Sequence, residues 1–164
     1  MGKASEFDIK TQVSMCVNEV KRLVKTRVIE SHWPEEMFWP VMTSIVVHTR
    51  DLVAKSRTIA SSPIDFTDDI VPHEKVHNGE TLIKFVRDAL CHVESDKHKI
   101  GETMVFTRNV AYGKCCILRT DEYEFSSDYE DDIAIFIGRH RAYYRRHILR
   151  AFNESVDNLK AFLD

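Results

Sequence analysis

Several features that mark large protein classes are missing from this chain. Its four cysteines, Cys16, Cys91, Cys115 and Cys116, include no C-x-x-C pair. That spacing fits neither a disulfide framework nor a zinc ribbon, and reduced thiols in a cytoplasmic protein are expected. Only 5 Gly and 4 Pro occur among 164 residues, which argues against long disordered tracts. No apolar run is long enough to span a bilayer, so no membrane association is expected. The opening Met1-Gly2-Lys3-Ala4-Ser5-Glu6 lacks the apolar core of a signal peptide and a Ser or Thr at position 6 for myristoylation. A large excess of charge of either sign is also missing. With a formal net charge of −3, any nucleic-acid contact must come from a local patch.

What is present is ordinary globular composition, with 43% hydrophobic and 30% charged residues, enough for one domain over residues 1–164 with its own core. Val13, Val17, Val20, Val24 and Val28 recur at helical spacing and predict a helix over 6–29, widened by Cys16 and Leu23. His32-Trp33-Pro34 reads as a break before a second helix over 35–55, with Phe38, Val41, Met42, Ile45 and Leu52 on its apolar face. Residues 56–77, with Pro63 and Pro72, read as a loop, and Asn78-Gly79 as a turn. A third helix from about Glu80 to Val93 carries Leu82, Phe85, Val86, Ala89 and Val93.

Met104-Val105-Phe106 and Cys115-Cys116-Ile117-Leu118 flank Tyr112-Gly113-Lys114 and predict a small β-hairpin near 103–119. After an acidic stretch at 121–132, a long last helix is expected from about Asp131, with Ile133, Ile137, Tyr144, Ile148, Ala151, Ser155 and Leu159 on one face. Together these elements predict a mainly all-α antiparallel bundle of four to five helices with a hairpin insertion.

The segment Phe85-Val86-Arg87-Asp88-Ala89-Leu90-Cys91-His92 carries the chemistry. An arginine is always charged and can hold phosphate oxygens. A histidine exchanges protons near neutral pH. That pair suits attack of an RNA 2′-hydroxyl on its own phosphodiester. Five residues apart on a regular helix, Arg87 and His92 diverge by roughly 140° and about 7.5 Å along the axis. Either His92 lies on a fraying last turn or a second chain completes the site. Asp88, one turn before His92, is placed to orient an imidazole. Arg87, Asp88 and Cys91 point away from the apolar stripe. A cysteine on that face suggests that a second subunit covers it. The alternative is a set of solvated helix charges ending in a histidine favoured by the helix dipole.

This segment resembles the R-x(4–6)-H motif of the HEPN superfamily, in which a polar residue commonly follows the arginine, as Asp88 does here. Ile137 to Arg150 is similar to the last helix of plasmid-borne HEPN proteins of unassigned function. The resemblance implies an all-α homodimer acting as a metal-independent endoribonuclease in toxin–antitoxin or phage-defence systems. It also implies cyclic-phosphate and 5′-hydroxyl products, no cofactor, RNA as substrate and a cognate antitoxin as a possible partner. Arg87 and His92 would be catalytic and Asp88 orienting. A non-catalytic nucleic-acid or partner-binding module is the second reading.

Two other patterns compete for attention. Arg139, Tyr143, Arg146 and Arg150 follow i, i+4, i+7, i+11 spacing and would form an RNA-binding stripe on the last helix. The acidic 121–132 stretch would equally neutralise them. His73-Glu74-Lys75-Val76-His77 matches the zinc-hydrolase pattern H-E-x-x-H, with His73 and His77 as ligands and Glu74 as base. Pro72 and Asn78-Gly79 leave it barely one helical turn, and the alternative is a polar loop.

Overall fold

The computed structural model describes residues 5–31, 35–92, 96–100, 102 and 104–163. The expected break at His32-Trp33-Pro34, the apolar position Val93 and the first four residues lie outside them. The chain forms two compact units, Met1–Ile64 with Ala151–Asp164, and Asp65–Arg150.

The first unit is helical. Helix α1 (Glu6–Lys25) starts at a capping box, with the Asp8 N–H donating to Ser5 Oγ and the Ser5 N–H to the Asp8 carboxylate. It buries Val13, Cys16, Val17, Val20 and Leu23, most of the stripe its spacing predicts, but stops at Lys25, with Val24 half-buried and Val28 beyond its end, and it packs on α2 (Glu35–Thr58). The face of α2 buries Phe38, Val41, Met42, Ile45 and Leu52. Helix α4 (Arg150–Asn158) joins this unit from Ala151 onward. There the Asn158 amide donates to Ser56 Oγ at 2.8 Å, and Ser56 Oγ donates to the Ser62 carbonyl.

The second unit overturns the all-α expectation. Besides α3 (Gly79–Cys91) it holds seven short strands among the described residues. These are β1 (Lys99–Ile100), β2 (Met104–Val105), β3 (Asn109–Tyr112), β4 (Cys115–Arg119), β5 (Glu124–Ser127), β6 (Ile133–Ile137) and β7 (His140–Tyr143). They make three small antiparallel sheets, β1–β2, β3–β6–β7 and β4–β5. The protein is an α/β mixture, not a four-to-five-helix bundle.

Two segments account for the strand content. The predicted hairpin at 103–119 is not one hairpin. Strands β3 and β4 flank Gly113 but pair with β6 and β5 respectively, and Met104-Val105 pairs back onto Lys99-Ile100. The predicted long last helix is a β-hairpin followed by helix. Ile133, Ala134, Ile135, Phe136 and Ile137 are all buried, which is how a strand covered on both faces reads. Gly138-Arg139 then makes a two-residue turn, with Gly138 at φ +55° and Ile137 opposite His140. Helical structure begins only at Tyr144, as a π-helical turn to Leu149, and continues as α4.

The π-turn has no cap from Tyr143, its own N-cap residue. Its leading N–H groups are met instead by Asp132, fully buried at the entrance to β6, which accepts from Arg145 N (2.8 Å) and Arg146 N (3.0 Å). Arg146 Nη1 and Ile133 N also donate to Asp132. Asp132→Ala leaves these donors without an acceptor and should cost about 2–4 kcal/mol, read as a lower denaturant midpoint. The unit's apolar centre is Ile100, Ala111, Phe125, Ala134, Phe136 and Tyr143, with Phe106, Leu118, Tyr123 and Tyr129 packed around it.

Candidate functional site

Helix α3 positions the Arg87–His92 segment. Asn78 opens it with a capping box to Thr81, and Gly79 lies so close to Phe66 that a Cβ would come within 2.5 Å of the ring. Leu82, Ile83, Val86, Ala89 and Leu90 are buried. Arg87, Asp88 and Cys91 lie off that stripe, half-buried, half-buried and exposed respectively. The helix stops at Cys91, and His92 is its C-cap, in extended conformation (φ −127°, ψ 93°) and exposed. Its N–H still donates to the Asp88 carbonyl at 3.1 Å.

Asp88 faces cations. Its carboxylate pairs with Arg87 Nη1 at 2.8 Å and Lys97 Nζ at 3.4 Å. It therefore orients Arg87 rather than the His92 ring. The His92 main chain is held by another residue, buried His98. The Nε2 of His98 lies 3.1 Å from the His92 carbonyl, which only accepts. Nε2 therefore carries the proton, and Nδ1 is left to accept from the Thr107 hydroxyl. No local spacing pattern joins Lys97 or His98 to the Arg87–His92 segment; the fold brings them to it.

Lys97 also lines a cleft of about 760 Å³. One wall is a row of rings, one pair stacked and one tilted. His73 packs on His140 with centroids 5.6 Å apart, and His140 on Phe85 at 4.2 Å. The rim carries Lys97, Lys99 and Arg139, with Glu74, Asp96 and Glu102 among them. Lys99 pairs with Asp96 at 2.7 Å. Arg139 lies over the Tyr123 ring and donates to its hydroxyl at 3.1 Å, a neutral partner.

His140 is 9% exposed. Burial lowers its pKa from 6.5 to about 4, neighbouring His73 adds to the fall, and Glu74 opposes it. Buried His147 is lowered for the same first reason, its ring held between Tyr143 N and the Asp68 carbonyl. Between pH 6.5 and about 4 the unfolded chain binds the His140 proton and the folded chain does not. Stability is therefore complete above that window and falls as pH drops through it, by about 3 kcal/mol for His140. Thermal midpoints measured over pH 4–7 should fall accordingly, and His140→Phe should flatten the slope.

The four-residue stripe does not form. Arg139 sits in the β6–β7 turn, Tyr143 ends β7 fully buried, Arg146 is in the π-turn and Arg150 opens α4. Tyr143 therefore has no face for a base. Its hydroxyl accepts from Asp128 N and donates to the Asp128 carboxylate. Arg146 binds Asp131 and Asp132 and covers Tyr129, Arg141 binds Asp128, and Arg150 binds Asp68. Here the acidic stretch neutralises much of the basic one.

The H-E-x-x-H pattern is not helical. His73 and Val76 exchange backbone hydrogen bonds across a tight turn, and Glu74 has φ +52°. His73 and His77 are thus not one helical turn apart on a shared face. Among the described residues no group of three or more His, Cys, Asp or Glu side chains is placed to hold a metal. Among them, too, no helix is long and apolar enough to cross a membrane. Compared with protein-family models, with curated proteins and with solved structures, the chain matches none.

Proposed function

We propose that the protein is a metal-independent endoribonuclease of HEPN type, acting at the C-terminal end of α3 as a homodimer. The mixed fold departs from the all-α bundle that the HEPN resemblance implies, so the reading rests on the motif and its surroundings. The observation that carries it is the Arg87–Asp88–Lys97 cluster one turn from exposed His92. Asp88 uses one guanidinium nitrogen of Arg87, and the remaining N–H groups are available to a phosphate.

In this reading His92 takes the proton of a 2′-hydroxyl, whose oxygen then attacks the adjacent phosphorus. Arg87 and Lys97 balance the charge that gathers on the non-bridging oxygens. The 5′-oxygen leaves and receives a proton, leaving a 2′,3′-cyclic phosphate and a 5′-hydroxyl. His92 of a second copy is the proton donor suited to that step, since a two-fold axis brings two Arg–His pairs together. Asp88 holds Arg87 in place.

The test is incubation of purified protein with RNA in excess chelator, beside Arg87→Ala and His92→Ala. The expected result is cleavage by the wild type that both substitutions abolish. Cleavage that needs added metal, or that survives both substitutions, would overturn the reading. Sedimentation of the free protein should give twice the mass of one chain.

A further inference from the structure

We infer that the cleft lined by His73, His140, Phe85 and Arg139 is a subsite for one unpaired RNA nucleotide, its base stacked on the histidine wall and its phosphate on Arg139. The inference rests on the ribonuclease reading for its choice of RNA. Its first three observations are separate from that reading, because they do not use Arg87, Asp88 or His92.

Four observations support it. The cleft's volume of about 760 Å³ lies within the range of small-molecule sites, roughly 300–1,000 Å³. Its wall is a row of three rings, His73 stacked on His140 and Phe85 tilted against His140, and the His73 ring is only partly buried. Every base has a flat face, so such a wall accepts any of them without sequence preference. Arg139 is held over Tyr123 by a neutral phenol, so its charge is left for an anion.

The fourth observation is continuity. Lys97 lines the cleft and also touches Asp88, which holds Arg87. A strand with one base against His73 therefore runs past Lys97 toward the Arg87 guanidinium. The cleft also holds three carboxylates, Glu74, Asp96 and Glu102, equal in number to its three cations, so the phosphate is placed at Arg139 and not by the net charge of the cleft. Asp96 is already paired with Lys99 in an exposed contact that a phosphate can displace.

The turn explains why these residues meet. His73 is presented by the His73–Val76 bridge and Arg139 by the Gly138 turn, two loops more than sixty residues apart in sequence. The H-E-x-x-H histidine thus acquires a use unrelated to zinc. His140, fixed opposite Ile137 at the start of β7, supplies the ring on which it rests.

The test uses the full chain and a fluorescent, fully 2′-O-methylated single-stranded RNA 12-mer in chelator, which cannot be cut through its 2′-oxygen. Binding is read by anisotropy across a salt series. His73→Ala should weaken binding about tenfold and His73→Phe, which keeps the stacking face, by less than about threefold. Arg139→Ala should weaken binding and reduce the salt slope by about one phosphate contact. Lys84→Ala, an exposed cation of α3 outside the cleft, should change little.

No binding by wild type, equal binding by wild type, His73→Ala and Arg139→Ala, or an equal loss in Lys84→Ala would overturn the subsite. Cleavage at Arg87 and His92 without dependence on His73 or Arg139 removes the subsite and leaves the ribonuclease reading. Binding that depends on His73 and Arg139 in a protein that cleaves no RNA does the reverse.

Discussion

His92→Ala should lower RNA cleavage at least about 100-fold while leaving the unfolding transition where it was. A positioned proton-transfer group contributes roughly 10²–10⁴ in rate, and among the described residues His92 is the exposed imidazole at the end of α3, one turn beyond Asp88 of the Arg87–Asp88–Lys97 cluster. Its structural contacts are made by the main chain: the N–H to the Asp88 carbonyl and the carbonyl from His98 Nε2. Alanine keeps both. Loss of rate with an unchanged melting curve therefore separates chemistry from folding. Arg87→Ala should reduce the rate by a comparable factor, because it removes a guanidinium aimed at developing charge. Arg87→Lys should recover only part of it, since an ammonium lacks the planar fork. If His92→Ala cleaved as fast as wild type, proton transfer would have to be assigned elsewhere.

Gly138→Ala is the second large effect, on stability and on the cleft together. Gly138 has φ +55°, where a side chain costs about 1–2 kcal/mol, and a Cβ there would collide with the Lys97 carbonyl oxygen and approach that of Lys99 at 3.1 Å. Those atoms are backbone and cannot swing aside. A destabilisation of about 3 kcal/mol or more is expected from strain and overpacking combined. Gly113→Ala is the control. It shares the left-handed conformation (φ +72°), but its Cβ would meet nothing closer than 3.4 Å, so about 1 kcal/mol is expected. Equal effects at the two glycines in denaturant titrations would show that the approach of Gly138 to the Lys97–Lys99 backbone does not matter. Gly138→Ala should also weaken RNA binding, since Arg139, Lys97 and Lys99 meet at that contact.

These two glycines also show where sequence reasoning ran out. Helices α1, α2 and α3 were legible because each keeps one apolar face over at least three turns, and spacing reports that directly. The final third was not. Ile133 and Ile137 fall four residues apart and suit a helix, yet the three residues between them are also apolar. A five-residue apolar run followed by glycine is the pattern of a buried strand and a turn. The periodic match to Tyr144, Ile148 and Ala151 is real, but it begins only after the hairpin.

The candidate site divides the same way. Arg87, Asp88 and His92 lie within one helical segment and could be picked out by residue type and spacing. Lys97, His98 and Arg139 reach the same region through a short 3-10 turn and the β6–β7 turn, so their proximity depends on strand pairing that no local pattern reports. His73 was picked out for a chemistry that needs a helix. The Asn78 capping box, which starts α3 one residue after His77, leaves no room for one.

The most direct measurement is the chemistry of the RNA ends made in chelator. Attack by the 2′-hydroxyl, with His92 accepting its proton, yields a 2′,3′-cyclic phosphate on one fragment and a 5′-hydroxyl on the other, and no products from RNA methylated at every 2′-oxygen. Products bearing a 5′-phosphate, or cutting of the 2′-O-methylated strand, would contradict this account.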